Sequence, residues 1–314
     1  MHHCASSAKA HTAEASTPGQ VTADGGLTTL PAGATHGALQ IEYRWLNRTR
    51  YDAPIAVFLH EGLGSVAMWK DWPQTLCDAL GWRALVYSRP GYGRSTPREP
   101  GVKWPVQFMH EQAYDVLPSL LDALGIDADA RARMWLIGHS DGGSIALLYA
   151  SAFPNALAGV VVIAPHVMVE QVSVDSIAQM KIDYECKSLR DKLARYHDDV
   201  NSAFYGWNDI WLDPAFRNWN ITGVLPRIQC HLLAIQGYAD KYGTMAQIDM
   251  IQHNVRHARL AKLPSCGHSP HRDAPAKLNR VIADFVCAAT SLSGPPRPPC
   301  CATLTARAAT HSCT

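Results

Sequence analysis

Charge is scarce in this chain. Asp, Glu, Lys and Arg make up 18% of its 314 residues, and 28 Lys+Arg against 27 Asp+Glu leave a formal net charge of +1. So neutral a composition offers no basic face, which argues against binding nucleic acid by counterion release. Long apolar runs are missing as well. No window reaches the roughly 18 consecutive apolar residues of a membrane span, so a membrane partner is not expected. The nine cysteines include no C-x-x-C pair. Cys77, Cys186, Cys230, Cys266 and Cys287 lie far apart, while Cys4, Cys300, Cys301 and Cys313 sit near the ends. This usage favours reduced thiols, some buried as small hydrophobes, over a disulfide framework. The opening MHHCASSAKAHTAEAST has no apolar core of a secretory signal, and the cytoplasm is the expected compartment.

What is abundant is apolar side chain, at 47% of residues. That fraction excludes disorder of the whole chain and supplies a large core. The length alone suggests two domains, yet single α/β domains often exceed about 250 residues. Residues 1–34 are rich in Ala, Thr, Gly and Ser without apolar periodicity, and read as a disordered arm. Residues 293–314, which begin near GPPRPP, read as a disordered tail. Between them, residues 35–165 and 227–292 form the two parts of one α/β core.

Strand and helix signals alternate through that core. ALQIEYRWL (38–46), IAVFLH (55–60), ALVYS (84–88), MWLIGH (134–139), AGVVVIAP (158–165), HLLAIQG (231–237) and ARLAKLP (258–264) read as strands. Most are short continuous apolar runs, as expected of strands covered on both faces. Helices are predicted over 71–80, with Asp71 as N-cap and Pro73 in the first turn, and over 108–125, kinked at Pro118. Two more are predicted over 144–153 and 274–289. Repeated β-α-β-α order means a mainly parallel sheet with helices on both faces. Residues 166–226 interrupt it with helical patterns and a crowd of aromatics: Phe204, Tyr205, Trp207, Trp211, Phe216 and Trp219. This insertion reads as a helical cap over the carboxyl edge of the sheet, where ligands bind in such folds.

The strongest motif is Gly138-His139-Ser140-Asp141-Gly142, a G-x-S-x-G between a strand and a helix. In that context the serine sits on a sharp, strained turn, and glycines are needed where a Cβ would meet neighbouring chain. A serine hydroxyl is a poor nucleophile until a base takes its proton and an acid orients the base. With a serine elbow of this type, an acid and then a histidine follow in chain order. Asp240 lies just past HLLAIQG and His268 just past ARLAKLP, so both fall at strand ends in the required order. His271 competes with His268 for the base, but it follows Pro270 and borders the last helix. The His268/His271 pair lacks nearby acidic ligands, so no metal is expected.

An oxyanion formed on the substrate needs two backbone N–H donors. Asp141, the residue after the nucleophile, supplies one, and Gly62 in the loop His60-Glu61-Gly62-Leu63-Gly64-Ser65 is the candidate for the other. The same loop fits G-x-G-x-x-A over Gly62–Ala67, a dinucleotide fingerprint, with Arg89 ending the next strand. That reading needs a helix opening at the glycines. The helix signals come some residues later, at Asp71 and Pro73, so no nucleotide cofactor is expected.

With these residues in view, the chain resembles the α/β-hydrolase superfamily over roughly residues 38–290, in particular its small cytoplasmic bacterial members with a helical cap. The motifs that carry the likeness are His60-Glu61-Gly62-Leu63-Gly64, Ser88-Arg89-Pro90-Gly91-Tyr92-Gly93-Arg94-Ser95, Gly138–Gly143, Asp240 and Gly267-His268. The resemblance implies a Ser-His-Asp hydrolase. Similar proteins include carboxylesterases, meta-cleavage-product C–C hydrolases, enol-lactonases and proline iminopeptidases. Glu61 departs from the glycine common after the loop histidine, and Ser269 from the aromatic that many C–C hydrolases carry after the catalytic histidine. Ser140 in place of Asp at the elbow excludes haloalkane dehalogenase and epoxide hydrolase chemistry. Ester, thioester or lactone hydrolysis of a small molecule leads. C–C hydrolysis of a ring-fission product and non-catalytic small-molecule reception are the alternatives. A small-molecule substrate is the expected partner, and monomer and homodimer both stay open.

Overall fold

The computed structural model describes residues 24–291; the expected disordered tail and most of the expected arm lie outside them. Eight strands form one sheet: β1 (Gly25–Leu30), β2 (Leu39–Leu46), β3 (Ile55–Leu59), β4 (Arg83–Tyr87), β5 (Trp135–His139), β6 (Gly159–Ile163), β7 (His231–Gly237) and β8 (Arg259–Leu263). Their spatial order is β1-β2-β4-β3-β5-β6-β7-β8. The β1/β2 and β2/β4 pairs are antiparallel and the remaining pairs parallel. The carboxyl ends of β3 through β8 therefore open on one edge.

The apolar runs have a physical reason. Along β3, Ile55, Val57 and Leu59 enter one core while Ala56 and Phe58 enter the other. The same alternation holds in β6, with Val160 and Val162 on one face and Val161 and Ile163 on the other. A strand buried on both faces has no polar side, so period-two hydropathy disappears from it.

Helices fill both faces. One face is covered by α1 (Trp72–Leu80), through residues such as Leu76 and Leu80. The other takes α2 (Phe108–Glu111) and α3 (Leu117–Ala123), and α4 (Ala128–Ala132) follows on the way to β5. Next comes α5 (Asp141–Ala152), buried on every side over residues 141–151. Residues 166–226 contribute no strand to the sheet; they hold α6 (Gln171–Cys186), α7 (Leu189–Leu193), α8 (Val200–Leu212) and two 3-10 turns. After β7 come α9 (Ala246–Asn254), α10 (Pro270–Asp273) and α11 (Pro275–Ser291), the last of which packs beside α1. Among the described residues, no helix is long and apolar enough to cross a membrane.

Three local features differ from the sequence expectation. Gly25–Leu30, assigned above to a disordered arm, is an edge strand paired with β2 from Gly25↔Arg44 to Leu30↔Leu39. Its GGLTTL sequence holds two leucines and two glycines, too little apolar pattern to announce a strand whose stability comes from its neighbour. The helix expected over 108–125 is divided: Gln112–Val116 widens into a π-helical turn before α3. Pro118, at the start of α3, cannot donate to the preceding turn, and the wider turn accommodates its ring. The crossover helix α9 escaped notice because Ile248 and Ile251 are its main buried apolar residues.

At the amino end of β5, Trp135 is nearly fully buried, with Trp82 at 5.4 Å, Phe285 at 6.0 Å and His231 at 6.4 Å between ring centroids. Trp135→Ala is expected to cost about 3–5 kcal/mol, read as a drop in the urea midpoint at an unchanged slope.

Candidate active site

The turn after β5 is strained as its motif requires. Ser140 adopts φ 52°, ψ −121°, outside the regions favoured by L-residues. Its N–H donates to the Ile163 carbonyl at 2.9 Å, which pins the turn to the end of β6. A Cβ on Gly138 would collide with the Gly142 carbonyl, and one on Gly142 with the Leu59 carbonyl of β3. Ser140 is thus held at the opening of α5, facing the edge where the strand ends converge. Ser144, one turn on, donates through Oγ to the His166 carbonyl at 2.6 Å and ties α5 to the loop after β6.

Asp240 and His268, expected at two strand ends, meet there. His268 Nδ1 lies 2.9 Å from Asp240 Oδ1 and 2.8 Å from Oδ2. The carboxylate also accepts from the Tyr242 N–H at 2.8 Å and the Gln236 Nε2 at 2.8 Å. Burial alone would raise the Asp240 pKa, but the His268 bond and charge, helped by Tyr242 N–H, hold it below the ordinary carboxylate value. His268 is shifted down by burial, with Asp240 acting in the opposite sense. A carboxylate accepts only a proton-bearing nitrogen, so Nδ1 carries the hydrogen and Nε2 is left for chemistry.

Gly62 and Asp141 follow β3 and β5 at the same sheet edge. As the first residue of α5, Asp141 presents an N–H without an intrahelical partner. Gly62 lies in the loop after β3, and His60 and Arg89 fix that loop. His60 Nε2 accepts the Arg89 N–H at 3.0 Å, and Arg89 Nη2 donates to the Glu61 carbonyl at 2.9 Å. A Cβ on Gly62 would collide with the indole of Trp207, which α8 lays directly on the glycine. The glycines of this loop are followed by a 3-10 turn at Ala67–Trp69 and then by α1.

Several residues of the site escaped the sequence reading. The Asp141 side chain, counted above only for its backbone, is fully buried. It accepts from Trp211 Nε1 at 3.2 Å and stands 3.8 Å from Arg89 Nη2. Burial pushes its pKa up to about 6, with Arg89 opposing. His166, just past β6, is within 4.9 Å of Trp211 and 6.1 Å of His268 between ring centroids, and burial, then His268, lowers its pKa to about 4. No signal in the sequence separates such a histidine from an ordinary loop residue. Arg89, two residues past β4, is 1% exposed and already engaged with the Glu61 carbonyl. His271 is likewise buried, against Trp69, Trp72 and His139, with neither ring nitrogen bonded. Among the described residues no three His, Cys, Asp or Glu converge as a metal site.

Residues 56–281 match the profile of the alpha/beta hydrolase family. The chain belongs to that family. This alpha/beta hydrolase is 27% identical to the human serine hydrolase BPHL over 217 residues, 64% of this chain and 68% of that protein. It is 22% identical over 262 residues to the 2-hydroxy-6-oxo-6-phenylhexa-2,4-dienoate hydrolase of Comamonas testosteroni, covering 73% of this chain and 86% of the other. Among solved structures, a thermophilic esterase from Thermogutta terrifontis shares the fold at a TM-score of 0.62 and 17% identity, over 84% of this chain and 99% of that one.

Burial, then the neighbouring His139, depresses the His271 pKa from 6.5 to about 3. The unfolded chain binds a proton that the folded site refuses. Stability is therefore whole above pH 6.5 and is lost as pH falls toward 3, by up to about 1.4 kcal/mol per pH unit. His271→Leu is expected to leave stability at pH 7 unchanged or higher, and to flatten its decline between pH 6.5 and 4.5. Thermal midpoints across that range measure both effects.

Proposed function

We propose that this alpha/beta hydrolase cleaves a carboxylic ester, or a related thioester or lactone, of a small aryl or short-acyl substrate. Ser140 is the nucleophile, His268 the general base and acid, and Asp240 the residue that sets the His268 tautomer. The observation that carries this reading is the paired contact of His268 Nδ1 with both Asp240 oxygens, made at the same sheet edge as a strained serine elbow. Nε2 takes the Ser140 proton as Oγ attacks the carbonyl, and the oxyanion accepts from the Gly62 and Asp141 N–H groups. Collapse expels the alcohol, which leaves with the proton from Nε2. Water then repeats the sequence on the acyl-serine and releases the acid.

The surroundings favour a compact, largely apolar acyl or leaving group. Trp207 lies over Gly62, and Trp211 over Asp141 and His166. Most other cap aromatics pack among themselves, Phe204 on Tyr184 and Phe216 on Trp219. The likeness to a dienoate hydrolase keeps C–C cleavage as the second reading. That reaction needs a cationic or amide clamp for the substrate carboxylate, with Arg89, Lys181 and Arg190 as the candidates. Arg89 is committed to the Glu61 carbonyl and Asp141, and Arg190 is exposed on the cap, so ester hydrolysis ranks first.

A fluorophosphonate probe is expected to label Ser140, with labelling and turnover both abolished in Ser140→Ala. Asp240→Asn should lower kcat by about 10³–10⁴ through the wrong tautomer of His268. Parallel assays on p-nitrophenyl acetate to octanoate, phenyl esters and a 2-hydroxy-6-oxo-dienoate rank the substrates. Fast bleaching of the dienoate with negligible ester turnover reverses the order of the two readings. No turnover with Ser140 unlabelled indicates a receptor.

A further inference from the structure

Glu61 is the one residue of the oxyanion loop that departs from the resembling pattern, and the mechanism above leaves it unused. Its carboxylate is only 18% exposed and faces His139 at the end of β5 and Arg272 in α10. Oε2 lies 3.6 Å from Nδ1 of His139, the residue before Ser140, and Oε1 lies 3.6 Å from Nη2 of Arg272, four residues past His268. Gly64 makes room for it, since a Cβ there would stand 2.6 Å from Oε2. His139 passes the connection on, because its Nε2 donates to the His268 carbonyl at 2.7 Å. One carboxylate thus joins the loop after β3, the elbow after β5 and the histidine loop after β8. Burial opposes its charge, yet His139, Arg272 and His60 hold it ionised well below the usual carboxylate range.

We propose that Glu61 is a positioning residue, whose side chain, through His139 and Arg272, holds the oxyanion loop and the His268 loop in register with Ser140. The proposal rests on the assignment of His268 above. The groups that face His268 are Asp240 and Tyr242 from the loop after β7, His139 from β5 and His166 from the loop after β6. Glu61 joins them from the loop after β3 and His271 from α10, where Arg272 acts on His271 and on Glu61. Of these, Asp240 and Glu61 favour the imidazolium, while His139 disfavours it. Removing the Glu61 charge makes the imidazole less basic, and removing the Arg272 charge makes it more basic.

The test needs no known substrate. The rate of fluorophosphonate labelling at Ser140, followed against pH, has an acid limb set by the ionisation of His268. In Glu61→Gln this limb should move to lower pH by about 0.5–1 unit, with slower labelling on the plateau. In Arg272→Gln, at an exposed position, it should move to higher pH by about 0.2–0.5 unit. Opposite displacements support the proposal. They also exclude a general loosening, which would not sort by charge. Coincident limbs in wild type and Glu61→Gln, or displacement of both variants in one direction, overturn it. If Glu61→Gln does not fold, the Arg272→Gln limb decides: an upward shift supports the proposal and an unmoved limb overturns it. Absence of Ser140 labelling in the wild type would instead overturn the hydrolase reading, and this inference with it.

Discussion

The backbone at Ser140 could not persist alone. Its left-handed angles cost of the order of 1–3 kcal/mol, and the surrounding strand ends supply the restraint. The Ile163 carbonyl takes the serine N–H, and the Leu59 carbonyl closes so tightly on Gly142 that no side chain fits. The position of α5 follows from that turn, and with it the direction of the first free N–H groups of the helix. The parallel order of β3, β5, β6, β7 and β8 brings the remaining functional groups to the same edge. The sheet is in this sense a device for gathering loop residues distant in sequence around one strained turn.

Gathering them carries an electrostatic cost that the site offsets internally. His60, Arg89, His139, Asp141 and His166 are all at most 2% exposed. Arg89 answers both a carbonyl and a carboxylate, while Asp240 is surrounded by the donors His268, Tyr242 N–H and Gln236. Contacts to carbonyls or carboxylates set the tautomers of His60, His139, His166 and His268. Such a network has little freedom to reorganise, which is the condition under which fixed dipoles stabilise charge formed in a reaction.

How much of this was legible in the sequence depended on how local the signal was. The doubly buried strands announced themselves because both faces demand apolar residues. Ser140 follows the buried strand β5 directly, while Asp240 past β7 and His268 past the edge strand β8 were placed by their order in the chain, and those two are in contact. The edge strand β1 was not readable, since Leu27 and Leu30 alone cannot mark a strand that is stabilised by pairing. The roles of Arg89, Trp211 and the Asp141 side chain depend on partners 28 to 70 positions away, where no periodicity reaches. His166 became visible only when the end of β6 was placed beside that of β7.

Trp207 and Trp211 lie one turn apart on α8, the first against Gly62 and the second bonded to Asp141. A rigid helix cannot withdraw one indole while leaving the other seated. The two indoles therefore cover the loop after β3 and the start of α5 as one unit, and a substitution that shifts α8 uncovers both places at once.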